Sequence, residues 1–165
     1  MEQPHNANSG QSHTALIDRF YRAFAQRDAA TMAACYHRRA TFRDPLFELT
    51  GANIGAMRKM LSERATDLRL QFDEVHAEAD HGGADWQAWY TFSQSGRKVH
   101  NVIRAEFKFA EGLIIEHIDR FDFWRWSRQA LGLPGLLLGW TPMLHNKVRA
   151  QAQAGLEKYL AAQAK

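Results

Sequence analysis

From Ile17 the apolar residues fall at Ile17, Phe20, Tyr21 and Phe24. That i, i+3, i+4, i+7 spacing predicts an amphipathic helix, with Ser12 or Thr14 placed to cap its start. Asp28 reads as the N-cap of a short second helix carrying Met32, Cys35 and Tyr36 on one side. The run Phe42-Arg43-Asp44-Pro45 is extended at its end, because a residue before proline is pushed out of the helical region. A third helix follows Gly51 and buries Ile54, Met57 and Leu61. The period then changes to two: Leu68, Leu70 and Phe72 alternate with polar residues, the register slips at Asp73-Glu74, and it resumes at Val75 and Ala77. Such a slip predicts a β-bulge in a curved strand. A turn over residues 80–83 leads to strands over 84–94, 97–109 and 113–124, joined by a two-residue turn at Ser95-Gly96 and a three-residue one at Ala110-Glu111-Gly112. Helices followed by a long curved antiparallel sheet make an α+β domain.

Loop length sets register. With these turns Phe92 faces Val99, Tyr90 faces Asn101, Ala105 faces both Trp86 and His117, and Phe107 faces Ile115. One face then carries Trp86, Phe92, Phe107, Ile115 and Phe121, with the polar Tyr90, Asn101, His117 and Asp119 set among them. An apolar concave face with a few converging polar groups is the chemistry of a small-molecule pocket. His117 and Asp119 are two apart on one strand and project to the same side. Burial disfavours the charge on each and their proximity favours it, which is how acid–base groups are poised near neutral pH. Ala105, the smallest neighbour expected opposite His117, leaves room for a ligand atom. Asp44 is a second acid–base candidate, with turn formation ahead of Pro45 as its structural alternative. Tyr21 and Tyr36 read as packing residues on helix faces. His37, His76, His81 and His100 lack ligand spacing, and no nucleophile elbow, phosphate loop or paired-cysteine motif occurs. No metal and no cofactor are expected.

Composition narrows the class. The chain has 165 residues, 45% hydrophobic and 24% charged, enough for one domain rather than a disordered chain. Its surplus of 21 basic over 18 acidic residues is too small to imply nucleic acid. A single cysteine, Cys35, fits a reducing compartment, and with no apolar leader in the first residues a cytoplasmic location is expected. Residues 1–12 are read as a flexible tail, 13–126 as the main domain, and 127–165 as an apolar segment followed by a C-terminal helix. That helix is capped by Thr141-Pro142, with Leu144, Val148, Ala152 and Leu156 as its stripe. Residues 125–165 hold six basic side chains and one acid, Glu157. Trp124, Trp126, Leu133, Leu136, Leu137 and Trp140 are too many large apolar groups to leave in water. They are expected to pack on the domain or on a second subunit; a lid over the pocket mouth ranks second, and membrane-surface contact ranks third and is not expected.

Phe20-Tyr21-Arg22-Ala23-Phe24, Arg27-Asp28 and Ala40-Thr41-Phe42-Arg43-Asp44-Pro45, continued by Gly96-Arg97-Lys98, Phe107-Lys108-Phe109 and Gly112-Leu113-Ile114, resemble the nuclear transport factor 2-like superfamily. The similarity is to its SnoaL-like, ketosteroid-isomerase-like branch, over about residues 14–124. The resemblance implies a curved sheet wrapped by three N-terminal helices into a cone with an internal pocket, here with a C-terminal helical extension. It places Asp44 where ketosteroid isomerases hold their proton-shuttling carboxylate. It puts Phe20 and Ala105 where those enzymes keep their oxyanion donors, which speaks against steroid isomerisation. His117 and Asp119 lie on the strand where SnoaL-like cyclases and limonene-type epoxide hydrolases place acid–base residues. The hydrolases' pair of carboxylates bridged by arginine has no clean counterpart, since Arg104 belongs to the outer face. The expected function is acid–base catalysis on a small hydrophobic oxygenated molecule: isomerisation, cyclisation, dehydration or hydration. Asp44, His117 and Asp119 carry the chemistry, Tyr90 and Asn101 orient a substrate oxygen, and Trp86, Phe92, Phe107, Phe121 and Phe20 line the site. A homodimer is expected. A non-catalytic binding module and a dimeric scaffold stay open as alternatives.

Overall fold

The computed structural model describes residues 5–165, with side chains from Ser9 onward. Helices α1 (His5–Ala25) and α2 (Ala29–Ala34) precede strands β1 (Tyr36–Arg43) and β2 (Glu48–Thr50) and helix α3 (Ala52–Arg64). Four long strands follow: β3 (Arg69–Glu78), β4 (His81–Phe92), β5 (Arg97–Ala110) and β6 (Leu113–Arg120). The chain ends in α4 (Phe123–Leu131), α5 (Leu133–Leu138) and α6 (Pro142–Gln163). The six strands form one curved sheet in the order β2-β1-β6-β5-β4-β3. Its concave face receives α1 and α3, which bury Ile17, Phe20, Tyr21, Ile54, Met57 and Met60 against Trp86, Ile103 and Phe107.

Local signals account for much of this. Asp28 caps α2 by accepting from the Thr31 amide, and Thr141 caps α6 ahead of Pro142 by accepting from the Leu144 amide. β5 alternates as expected, with Val99, Ile103, Ala105, Phe107 and Phe109 inward and Lys98, Arg104, Glu106 and Lys108 outward. The register of β3 slips between Asp73 and His76, where Glu74 adopts a φ of 51°, so the bulge lies where the alternation broke.

Several expectations are corrected. α1 starts at His5, and Ser12 and Thr14 lie inside it; the Thr14 hydroxyl donates back to the Gly10 carbonyl at 2.8 Å. The first four residues of the expected tail lie outside the described residues. Tyr36 opens β1 rather than closing α2, and β1 runs parallel to β6 in an otherwise antiparallel sheet. The first hairpin register moves by two residues, and the second by one at its turn and by one more at an irregularity between Lys108 and Phe109. Phe92 pairs Arg97, so the first loop has four residues, closed by the Gly96 amide donating to the Phe92 carbonyl at 2.8 Å. Ala110 pairs Leu113 across Glu111-Gly112, whose φ angles of 55° and 75° are those of a type I′ turn. Tyr90 therefore faces Val99, Trp86 faces Ile103, Phe107 faces His117, and Ala105 faces Asp119. Where the shift is even, side chains keep their expected faces. The irregularity after Lys108 skips Ile115, and between it and the turn the odd shift buries Ile114 in the core in place of Ile115.

The extension is not a separate piece. α4 runs across the boundary expected at residue 126, and Trp126 and Ala130 pack with Val99 and Val148. The stripe of α6 closes on the cone, with Leu156 fully buried. α5 packs on α4 through its glycine side, Gly135 lying against Ser127, while Leu133, Leu136, Leu137 and Leu138, with Trp140 after them, remain exposed on the chain.

Candidate functional site

Between the concave face of β4–β6, helix α3 and the inner sides of α4 and α6 lies a cavity of about 190 Å³. Phe24, Met57, Leu68, Ala88 and Ile103 supply apolar wall, and Asp44, Arg58, Tyr90, Asn101 and Asp119 supply polar groups. Of the sequence-derived site residues, Asp44, Asp119, Tyr90, Asn101, Trp86, Phe92 and Phe121 line this cavity. His117, Phe107 and Phe20 stand behind the wall in the core, 1%, 2% and 0% exposed. The ligand space foreseen beside His117 is absent, because Phe107 and not Ala105 is its neighbour, its ring centroid 4.4 Å from the imidazole.

Asp44 sits in the four-residue turn between β1 and β2. Its Oδ1 accepts from the amides of Leu46 and Phe47, both at 2.7 Å, which orients the carboxylate. Its Oδ2 takes no hydrogen bond among the described residues and is the oxygen left for a ligand. Burial, and then the negative charge of Asp119, push its pKa up to about 7 against the opposing pull of the two amides and Arg58. A carboxylate so poised takes up and gives back a proton near neutral pH.

Beneath the cavity floor a chain of hydrogen bonds joins α3 to β6. Arg58 Nη2 donates to the Tyr36 hydroxyl at 3.0 Å. The Tyr36 hydroxyl lies 2.7 Å from His117 Nδ1, and His117 Nε2 lies 2.9 Å from Asp119 Oδ1. Trp86 Nε1 donates to the same Asp119 oxygen at 3.3 Å. Burial lowers the pKa of His117, with Asp119 pulling the other way, so the ring is neutral at neutral pH. A neutral ring that donates from Nε2 to the carboxylate must accept at Nδ1. The protons therefore run from Arg58 to Tyr36, from Tyr36 to His117 and from His117 to Asp119. Burial favours protonating Asp119, but His117, Arg58 with Nη2 at 4.0 Å, and the Trp86 indole together hold its pKa below the usual carboxylate range. Arg58 is itself buried, with its guanidinium over the rings of Phe42, Phe20 and Phe24 at 4.7, 5.3 and 5.4 Å. Asp119 is thus a fixed negative charge, and His117 is the group that orients it.

Tyr90 faces the cavity from β4. Trp126 Nε1 donates to its hydroxyl oxygen at 2.9 Å, which leaves the phenolic proton for a ligand. Burial, eased by the Trp126 bond and reinforced by Asp44, pushes its pKa up to about 12, so it stays a donor. The Asn101 amide makes no side-chain hydrogen bond among the described residues, and it lines the same wall. No group of three or more His, Cys, Asp or Glu side chains is placed to hold a metal among the described residues.

Tyr36 and Arg58 are the site residues that sequence reasoning missed. Arg58 is i+4 from Ile54 and follows Met57, so it occupies the buried stripe of α3, where an arginine needs a partner. Periodicity reads Tyr36 as a packing residue on a helix face. The signal was the alternation Ala40, Phe42, Asp44 against Thr41 and Arg43, which marks a strand leading back towards it.

The family described as SnoaL-like domain matches residues 17–117. No curated protein matches the chain. Among solved structures, an LEH-like epoxide hydrolase of M. tuberculosis is similar at 15% identity and a TM-score of 0.59, covering 78% of this chain and 97% of that one. A candidate polyketide cyclase of Xanthomonas campestris is similar at 19% identity and a TM-score of 0.60, covering 74% and 98%. A protein of ketosteroid isomerase-like fold from Catenulispora acidiphila, in complex with trimethylamine, is similar at 13% identity and a TM-score of 0.63, covering 77% and 97%. At such identities these likenesses speak for the fold alone. The match over residues 17–117, carried on a cone of this topology, makes the chain a member of the SnoaL-like family within the nuclear transport factor 2-like fold.

Proposed function

We propose that the chain is an acid–base catalyst for a small, largely apolar molecule bearing a carbonyl or comparable oxygen. Asp44 is its proton shuttle and Tyr90 its oxygen-binding donor. The observation that carries this reading is the setting of Asp44 in an apolar cavity, one oxygen tied down by two amides and the other free, where burial and the charge of Asp119 push its pKa up to about 7. In the step this supports, ionised Asp44 removes a proton from carbon next to the carbonyl. The electron pair moves onto the oxygen, which accepts the Tyr90 hydrogen bond, and Asp44 returns its proton to another carbon. Asn101 is placed to hold the same oxygen or a second one. Asp119 keeps the pKa of Asp44 high, while Arg58, Tyr36 and His117 hold Asp119 in position. The likeness to a candidate polyketide cyclase, an LEH-like epoxide hydrolase and a protein of ketosteroid isomerase-like fold supports such chemistry without choosing among reactions.

The test is turnover, and solvent-deuterium exchange at carbon, on a panel of enones, β-hydroxy ketones and epoxides. Asp44→Asn is expected to lower the rate at least ~100-fold on the accepted substrate. An unchanged rate removes the assignment. The non-catalytic alternative predicts a different pattern: a ligand that co-purifies and is seen by native mass spectrometry, is bound equally by Asp44→Asn, and is never exchanged or converted.

A further inference from the structure

α5 is built inside out for a helix facing water. Its glycine side is turned in and its leucines are turned out: Gly135 and Gly139 are buried against Ser127 of α4, where a Cβ on either would strike the Ser127 carbonyl or hydroxyl. Leu133, Leu137, Trp140 and Met143 are 64%, 59%, 74% and 68% exposed, with Leu136 and Leu138 beside them. This is a contiguous stretch of chain and not a scatter of single residues, and such patches mark interaction sites.

The backbone around this patch is prepared for loss of water. The Gly135 carbonyl accepts from the Gly139 amide at 2.8 Å, and that of Leu136 from Trp124 Nε1 at 3.1 Å. The Leu137 carbonyl accepts from Trp140 Nε1 at 3.0 Å, and that of Leu138 from the Thr141 amide at 2.9 Å. The carbonyls at a helix C-terminus are ordinarily left to solvent; here they are satisfied within the chain, and the two indole N–H groups are used up in doing so. An element that leaves water requires that condition.

Charge chooses the occupant. Residues 123–156 contain no aspartate or glutamate, but they hold Arg125, Arg128, Lys147 and Arg149. Arg149 is engaged by Glu48 at 3.6 Å and Arg128 lies over the Trp124 ring at 4.7 Å; Arg125 and Lys147 are exposed without an ion pair among the described residues. A second copy seated on this face would set cations against cations, with no acid in the segment to receive them. An anionic lipid surface accepts the leucines and the cations together. No described helix is long and apolar enough to cross a membrane, and α5, with six residues, reaches only about 9 Å, so the contact would lie in the interfacial layer.

We propose that α5 and the turn into α6 form a docking surface for an anionic lipid bilayer. This reverses the ranking drawn from sequence, because the chain's own fold leaves the patch uncovered. The inference does not depend on the catalytic reading. It does place the bilayer beside the cavity, since Trp126 and Leu131 of α4 line that cavity and α4 carries α5.

The experiment is flotation of the full chain with phosphatidylcholine vesicles, with and without phosphatidylglycerol. It is run beside the variant Leu137→Glu/Trp140→Glu, whose changes lie outside the core and whose fold is checked by circular dichroism. The expected result is binding to the anionic vesicles, weakened by added salt and lowered ~10-fold or more in the variant. No binding, or equal binding by the variant, overturns the proposal. Equal binding to neutral vesicles overturns the anionic choice. A concentration-dependent dimer in sedimentation velocity that the same variant dissolves overturns it in favour of a second copy.

Discussion

Asp44 and Asp119 line one cavity, yet their carboxyls are driven in opposite directions. Asp119 is held ionised by His117, Trp86 and Arg58, whereas Asp44 receives only two amides and feels the charge of Asp119. If ionised Asp44 is the base, activity rises with pH through about 7, since the proton must leave the carboxyl before the step can occur. Asp119→Asn removes the opposing charge and frees Arg58 to favour the anion. The Asp44 midpoint is therefore expected to fall below that of the unsubstituted protein, as read by carbon-13 NMR titration of its carboxyl or by the pH profile. An unmoved midpoint would mean that burial alone sets it. The candidacy of these carboxylates was legible from the chain, through Asp44 before proline and the i, i+2 pairing of His117 with Asp119. Their division of labour was not, because it depends on Arg58 and Tyr36, which lie 59 and 81 residues from His117.

At the scale of elements, turns and bulges decided where the sequence reading held. Glu111-Gly112 adopts two positive φ angles and closes in two residues, while at Ser95-Gly96 only Gly96 is positive and the loop widens to four. The wider loop shifts register by two, and the tighter turn shifts it by one until the single-residue skip at Ile115 makes that two, so the inward face survived except that Ile114 takes the place of Ile115. The contact of α4 with α5 depends on backbone approach in the same way. Gly135→Ala is expected to push α5 off Ser127, costing about 1–3 kcal/mol in urea unfolding and altering the emission of Trp124, whose indole bond to Leu136 would break. Unchanged stability and emission would show that α5 is not clamped.

For the whole molecule, the C-terminal extension completes the cone and does not trail from it. His145 Nε2 donates to the Pro45 carbonyl at 2.7 Å, next to the catalytic candidate Asp44, and the Tyr159 hydroxyl donates to Glu63 at 3.0 Å on α3. Leu156 is fully buried in the principal core, and Val148 and Ala152 face the cavity. Leu156→Ala is expected to destabilise the entire domain by about 2–5 kcal/mol in a single cooperative transition. A separate early transition, with the rest of the cone unaffected, would mean that α6 folds apart from it.

The chain by itself determined what is local. Caps at Asp28 and Thr141-Pro142, the apolar stripes of α1 and α6, and the alternation of β5 all arise from spacing within a turn or a strand, so they can be read without knowing what lies opposite. Tertiary structure alone decided the Arg58–Tyr36–His117–Asp119 relay, the raised pKa of Asp44 and the exposure of α5. Periodicity states which face is apolar, but hydrogen-bond partners, desolvation and the covering of a face are settled only when distant segments meet.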